Sequence, residues 1–124
     1  MEKPESQIRQ VELEDVIFEN PFTNELRGDE LLTNTRRQVH NAYYSRVFPT
    51  PTAAPKTLAV SEEVRLLLGI TSDVADSFEF AEIFSGNAVT TDMDPHAMCY
   101  GGHQFGNWAG QLGDGRAINL GQVT

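Results

Sequence analysis

The segment DMDPHAMCYGGHQFGNWAGQLGDGRAINLGQV, residues 92–123, contains seven of the ten glycines in this 124-residue chain. Glycine loses more backbone entropy on folding than any other residue, so this density needs a reason. Positive φ angles, or close approach of the backbone to a ligand, would supply one. WAGQL and RAINL flank Gly113, Asp114 and Gly115. Asp-Gly between two alternating segments predicts a tight β-hairpin turn at this point.

Arg116 follows the predicted turn directly. Its guanidinium would place a permanent, fork-shaped charge beside exposed backbone N–H groups. A glycine-rich hairpin that covers nucleotide phosphates is also how kinase-like folds begin. We therefore interpret Gly113, Gly115 and Arg116 as a phosphate-binding group, with an ordinary hairpin as the alternative. The sequence has neither a G-x-G-x-x-G pattern nor a Walker A lysine after these glycines.

Three residues of metal-binding types recur in the same segment at H-x₂-C-x₃-H spacing: His96, Cys99 and His103. On a helix they would share a face, but the glycines at 101–102 would break such a helix. The spacing also differs from that of well-known zinc sites, so we predict no metal site here. We expect His103 instead to donate a buried hydrogen bond that fixes the loop. Phe105 and Trp108 are predicted to be core residues beneath the hairpin.

Prolines at positions 49, 51 and 55 make a regular helix impossible in the segment that contains them, NTRRQVHNAYYSRVFPTPTAAPKT. Proline fixes φ and moves the residue before it out of the helical region, so residues 34–57 are predicted to form an extended strap. Its apolar side chains are expected to hold it on the core: Tyr43, Tyr44, Val47 and Phe48. The next residues, TLAVS at 57–61, predict a short strand.

Two helices are predicted after the strap. SEEVRLLLG, residues 61–69, has Ser61 as N-cap, two glutamates in its first turn and Gly69 to close it in a left-handed conformation. A second helix is predicted from about 73 to 84, with Gly86 ending it. We expect both helices to pack into the core through their apolar residues: Val64, Leu67 and Leu68 from the first, and Val74, Phe78, Ala81 and Phe84 from the second.

The charge distribution excludes a nucleic-acid-binding surface. The formal net charge is −9, and nine of the eighteen acidic residues lie among the first thirty positions. A nucleic-acid partner would require a basic patch instead. Residues 1–30 are predicted to form a largely solvated, partly disordered acidic arm, with four apolar anchors: Val16, Ile17, Phe18 and Phe22.

The start of the chain predicts no export. It has neither the apolar stretch of a secretory signal nor the acid-poor character of a mitochondrial transit peptide, and no run reaches the length of a membrane span. Cys99 is the single cysteine, so no disulfide can form within the chain. We therefore expect a cytoplasmic protein without membrane partners. The predicted fold class is α+β in three parts: the arm at 1–30, the strap and helices at 31–91, and the glycine-rich hairpin at 92–124.

The run YGGHQFGNWAGQLGDGRAINLG, residues 100–121, closely resembles the selenoprotein O family, the YdiU group of bacteria. NAYYSRVFPTPTAAPKTLAVS resembles the A-x-Y-S-x-V-x-P-T-P-x-x-x-P segment of that family and the strand after it. IFSGN and the opening FENPF…LRGD also fit. The resemblance therefore spans nearly the whole chain from Phe18 onward, and its GHQFG and LGDGR blocks are long and specific.

The resemblance implies that this chain is the N-terminal part of a protein-kinase-like fold. It also implies protein adenylylation, in which ATP binds in a flipped orientation and AMP is passed to Ser, Thr or Tyr hydroxyls of proteins. In the family, the residues that match Gly113, Gly115 and Arg116 contact ATP. The implied metal is Mg²⁺ or Mn²⁺, which bridges phosphate oxygens.

Family members are several hundred residues long, so the resemblance implies that this chain corresponds to the beginning of one. The lysine, the metal ligands and the base aspartate of a kinase-like site would then lie after Thr124, and no catalytic residue is predicted here. We expect the chain to be inert alone, with a hairpin edge prone to association. The alternatives are a kinase-like phosphotransferase and a non-enzymatic nucleotide-binding or interaction module.

Overall fold

The computed structural model describes residues 8–13, 15–114 and 117–123, with the backbone alone at 112–114. Within these ranges the chain forms both short strands and short helices, which confirms the α+β class. In chain order the elements are β1 (Arg9–Gln10), α1 (Pro21–Glu25), β2 (Tyr44–Arg46), α2 (Glu62–Leu67), α3 (Ser72–Ala75), α4 (Phe78–Phe84), β3 (Ala88–Val89), β4 (His96–Gln104) and β5 (Asn107–Asp114). The kinase-like architecture stays a prediction.

The strands form two separate sheets. β1 pairs in parallel with β3, whereas β2, β4 and β5 form an antiparallel sheet in the order β2-β4-β5. β4 is therefore the central strand, with Ala97 opposite Ser45 on one side and Tyr100 opposite Gly113 on the other. After β5, Asn119 returns to β4 and bridges His96. Among the described residues, no helix has the length and apolarity needed to cross a lipid bilayer.

The apolar core draws on all three predicted parts of the chain. Its buried residues are Leu13, Val16, Ile70, Ala75, Ile83, Ala88, Val89 and Met93. Two residues of the arm lie in this core: Val16, one of the four predicted anchors, and Leu13, which was not predicted. Ile17, predicted as an anchor, is instead 72% exposed. Phe18 packs against the core at its edge.

The helix ends follow from local sequence. Ser61 accepts a hydrogen bond from the Val64 N–H and caps α2, and Gly69 follows that helix with φ +70°, as predicted. The single helix predicted over 73–84 is wrong, since it is divided into α3 and α4. The Ser77 hydroxyl group both donates to the Val74 carbonyl and accepts from the Phe80 N–H, so it ends one helix and starts the next.

Leu68 and Val74 pack against the core as predicted, but most of the residues predicted for the core faces of the two helices are exposed. No residue of α2, all of which is described, is buried, and Leu67 is 84% exposed. Phe78 and Phe84 of α4 are also exposed, whereas Ile83 is fully buried. For α4 the division at Ser77 explains the difference, because it restarts the helix and turns a different face toward the core.

The strap contributes β2, which buries the Tyr44 ring completely. Phe48 packs on the core as expected, but Tyr43 is 58% exposed. The strand predicted at 57–61 is wrong. Residues 57–60 have no ladder partner in the part of the chain that the structure describes, and Leu58 is 91% exposed. β-Branched composition alone does not make a strand without a neighbour to pair with.

The glycine-rich hairpin is present, but its predicted turn is wrong. The turn lies at Phe105 and Gly106, whose φ angles are +51° and +81°, and Asp114 instead pairs with Cys99 inside the β4–β5 ladder. Among the described residues, WAGQL does not pair with the AINL part of the second segment. WAGQL lies in β5, which pairs with β4, and Asn119 bridges His96 of β4. The Asp-Gly preference depends on the local sequence alone, so it does not show that β4 is available as a competing pairing partner.

Candidate functional site

The predicted phosphate-binding residues lie on and just after β5. Gly113 is in that strand, opposite Tyr100. Gly115 and Arg116 lie outside the described residues. Two pairings with β4 enclose this region: Cys99 with Asp114, and His96 with Asn119. Four residues, 115–118, separate Asp114 from Asn119, while two separate Cys99 from His96.

A buried ion pair lies under this end of β4. Arg46 of β2 donates from Nε to Oδ1 of Asp94 at 2.9 Å and from Nη2 to Oδ2 at 3.0 Å. The two side chains are only 8% and 6% exposed. The hydrogen bonds to Asp94 raise the pKa of Arg46 further above its ordinary value, against the opposing effect of burial. The bidentate geometry fixes β2 against the residues that lead into β4.

Aromatic rings surround the same ion pair. The guanidinium of Arg46 lies 5.2 Å from the centre of the Tyr44 ring, a cation–π distance. The His96 ring stacks on Phe22 and meets Tyr44 edge-on, each at 5.5 Å between ring centres. The Tyr44 hydroxyl group donates to the Thr23 carbonyl at 2.8 Å. α1, β2 and β4 are therefore joined in one polar and aromatic cluster, which we call the root of the hairpin.

His96, and not His103, is the buried histidine. Its Nδ1 lies 2.8 Å from the Asp94 carbonyl oxygen, which assigns the proton to Nδ1. No hydrogen-bond partner for Nε2 is present among the described residues. His103 is exposed and contacts Trp108 edge-on, so the expectation that it donates a buried hydrogen bond is wrong. Seven residues of strand place the two histidines about 20 Å apart, too far to share one metal ion.

The outer half of the hairpin, residues 98–111, is exposed or half-buried. Phe105 and Trp108, predicted to be core residues, are 102% and 62% exposed. One side-chain contact holds this half to the strap, where Gln111 donates to the Val39 carbonyl and accepts from the Val39 N–H, at 2.6 and 2.7 Å. The described residues contain no group of three His, Cys, Asp or Glu side chains that could hold a metal ion.

Sequence reasoning missed the ion pair at the root. Arg46 and Asp94 are separated by 48 positions, and nothing in their local sequence couples them. The available signal was a charged residue beside buried neighbours, Ser45 for Arg46 and Met93 for Asp94. A charge in such a stretch requires a partner, but the partner's identity becomes evident only in the folded chain.

Comparison with known proteins agrees with the pattern of motifs. The family model described as "Protein adenylyltransferase SelO" matches residues 31–124. A protein named "Protein nucleotidyltransferase YdiU" from Rhodopirellula baltica is 58% identical over 110 residues, which cover 89% of this chain and 20% of that protein. A protein of the same name from Aromatoleum aromaticum is 54% identical over 112 residues, covering 90% of this chain and 21% of that protein.

The chain thus spans about a fifth of the length of the curated relatives that it matches. The family match covers the strap, α2, α3 and α4, and the whole glycine-rich segment, but not α1. It includes the positions of Gly113, Gly115 and Arg116, on which the predicted phosphate site rests. On this agreement between sequence motifs, family model and relatives, the chain belongs to the SelO family.

Proposed function

We propose that this chain forms the nucleotide-loop part of a protein adenylyltransferase, which transfers AMP from ATP to Ser, Thr or Tyr hydroxyls of proteins. The observation that supports the proposal most directly is the position of Gly113 in β5, opposite Tyr100, near the end of the glycine-rich hairpin. Membership of the SelO family supports the same assignment. Gly113 and Gly115 would allow the backbone to approach the phosphates, and Arg116 would offset their charge.

The proposed catalysis depends on positioning and charge compensation more than on covalent chemistry by the protein. A divalent cation, Mg²⁺ or Mn²⁺, would neutralise phosphate charge when bound. The described residues offer no group of acidic or histidine ligands for it, so we assign no metal ligand among them. In the proposal the metal ligands, a phosphate-binding lysine and the base belong to the rest of a longer family protein, and the isolated chain is inert.

Two other functions would use the same residues. A kinase-like enzyme could hold ATP under the same hairpin in the opposite orientation and transfer the γ-phosphoryl group. A non-enzymatic module could bind a nucleotide or another protein through the same surface. The α-phosphate specifically distinguishes them, because it stays on the acceptor protein only when AMP is transferred.

The test uses a full-length SelO-family protein that contains this chain, which we call the full-length protein. It is incubated with Mg²⁺ and ATP labelled at either the α- or the γ-phosphate, and the acceptors are this protein and the proteins of a heat-treated extract. Protein-bound α-label is the expected result. Label from the γ-position alone would identify a kinase instead. Transfer of neither label would favour the non-enzymatic module.

Substitutions at two separate arginines provide the test variant and its control for this assay. Arg116→Ala should lower α-label transfer by about 10²-fold, the usual effect of removing one preorganised donor. Arg36→Ala changes an exposed arginine of the strap and should leave the transfer rate unchanged. Equal rates for the two variants would contradict the role assigned to Arg116.

A further inference from the structure

The N-terminal arm bonds to both ends of the glycine-rich segment through one side chain. Asn20 is 7% exposed and has a left-handed backbone, with φ 54° and ψ 48°. Its Nδ2 donates to the Asp92 carbonyl at 2.7 Å, and its Oδ1 accepts from the Gln122 N–H at 3.0 Å. Asp92 and Gln122 are 30 positions apart, so one amide group spans the beginning and the end of the segment.

Gln122 returns the contact to the arm. Its Oε1 accepts from the Phe22 N–H at 2.7 Å, and its carbonyl accepts from the Glu19 N–H at 3.0 Å. The Phe22 N–H lies in the first turn of α1, where helical N–H groups have no partner within the helix. The side chain of Gln122 thus satisfies a backbone group that α1 itself cannot.

The close approach requires glycine at position 121. A Cβ built there would lie 2.6 Å from Asn20 Oδ1 and 2.6 Å from Phe18 Cδ1. Phe18 also donates from its N–H to Asp92 Oδ2 at 3.0 Å. We call this arrangement of residues 18–22, Asp92 and residues 121–122 the clasp. It lies beside the direct pairing in which the Asp94 N–H donates to the Leu120 carbonyl.

We propose that Asn20 and Gln122 are positioning residues for the nucleotide-binding segment. The inference rests on the proposed function, because it assigns ATP phosphates to the segment between Asp92 and Gln122. Holding the two ends together lowers the conformational entropy that the segment loses when it closes on a ligand. Without the clasp a smaller fraction of molecules is ready to bind, and the apparent affinity for ATP falls by that fraction.

Four variants separate the side-chain bonds from the backbone conformation. Asn20→Gly keeps a left-handed backbone accessible and removes both hydrogen bonds of the side-chain amide. Asn20→Asp keeps the acceptor for the Gln122 N–H but replaces the donor to the Asp92 carbonyl. Gln122→Leu keeps much of the volume but removes the acceptor for Phe22, whereas Gln122→Glu retains an acceptor at the N-terminal end of α1.

The measurement is the dissociation constant of Mg²⁺-ATP by titration calorimetry on the full-length protein, with the melting temperature recorded for each variant. Asn20→Gly and Gln122→Leu should raise the dissociation constant about tenfold, which corresponds to one or two lost hydrogen bonds. Gln122→Glu should keep it within about twofold of the unmodified protein, and Asn20→Asp should fall between. The Gln122 pair decides the question if Asn20→Gly does not fold.

Ile83→Val is the control for stability alone. Ile83 is fully buried in the core and makes no part of the clasp, so this change should lower the melting temperature and leave the ATP affinity unchanged. An equal loss of affinity in Ile83→Val and Asn20→Gly would overturn the positioning role. So would unchanged affinity in both Asn20→Gly and Gln122→Leu. Failure of the unmodified protein to bind ATP would instead overturn the proposed function itself.

Discussion

β4 has an inner half, His96 and Ala97, and a longer outer half, Met98 to Gln104, and the two differ in burial and in their contacts. His96 and Ala97 are 1% and 2% exposed and lie over the Arg46–Asp94 pair and the ring of Tyr44. From Met98 to Gln104 the strand is exposed or half-buried and includes two adjacent glycines. The first half resembles the centre of a domain, and the second half resembles a free hairpin. One strand thus anchors at one end and presents backbone at the other.

The difference shows where the order of the outer hairpin originates. A two-stranded hairpin is marginally stable by itself in water. The outer half has its own ladder and the contact of Gln111 with Val39, whereas the root contributes an ion pair, stacked rings and the return of Asn119. We infer that the root sets the position of the glycine-rich segment. Variants in each half test this comparison.

Breaking the ion pair at the root should have the largest effect. Arg46→Ala leaves the carboxylate of Asp94 buried without its guanidinium, and breaking such a pair costs about 3–5 kcal/mol in the free energy of unfolding. Urea denaturation followed by far-UV circular dichroism measures this loss. Because both side chains are under a tenth exposed, solvent screening cannot reduce it much.

The matched control for the root is Arg46→Met combined with Asp94→Leu. It removes both charges of this pair together, so neither is left buried without the other, and much of the lost stability should return. A loss below about 1 kcal/mol in Arg46→Ala, the range of an exposed pair, would contradict the contrast between the two halves of β4.

Crowding the outer half should have an intermediate effect. A Cβ at Gly101 would lie 2.7 Å from Cη2 of Trp108 and 2.9 Å from the Gly110 carbonyl oxygen. Gly101→Ala should therefore destabilise the hairpin by about 1–3 kcal/mol. Amide hydrogen exchange in β4 and β5 reports this local opening. Adding Trp108→Leu should restore part of the protection, because the carbonyl of Gly110 still blocks the site. Unchanged exchange in Gly101→Ala would contradict this prediction, because both the Trp108 ring and the Gly110 carbonyl would then have moved without cost.

The smallest expected effect is a gain at the turn. Phe105 has φ +51°, a region that costs most L-residues about 1–2 kcal/mol and asparagine less. Phe105→Asn gives the Asn-Gly pair favoured in such turns and should stabilise the hairpin by about 1 kcal/mol. Thermal unfolding compares it with Phe105→Leu, which keeps the strain and should show no gain. A loss of stability in Phe105→Asn would indicate that the exposed phenyl ring makes a contact worth more than the strain.

Local sequence predicted the features that depend on a few neighbouring residues. The Ser61 cap, the left-handed Gly69 and the glycine at the end of α4 all depend on contacts within one or two helical turns. The second helix was predicted without its division, because Ser77 is compatible with both a continuous helix and a new N-cap. Burial was predicted least well, since Leu67 has a helical apolar spacing but no neighbour above it among the described residues.

The candidate site divides in the same way. Gly113, Gly115 and Arg116 were identified from composition and from the resemblance to a family, and their contact with ATP remains a proposal. The hairpin turn was placed at the wrong glycine because Phe105-Gly106 is a weaker local signal than Asp114-Gly115. The clasp at Asn20 had no local signal, since the partners of its side chain lie 72 and 102 positions away.

The sequence by itself determined the α+β class, the helix caps, the glycine-rich segment and membership of the SelO family. These depend on residue type and short spacing, which are readable without coordinates. Only the tertiary structure decided that β4 lies between β2 and β5, that Arg46 pairs with Asp94, and that Asn20 closes the segment. Each of these features joins residues that are far apart in the chain. Such pairing depends on which polar groups folding buries together, because buried groups cannot bond to water and must bond to each other.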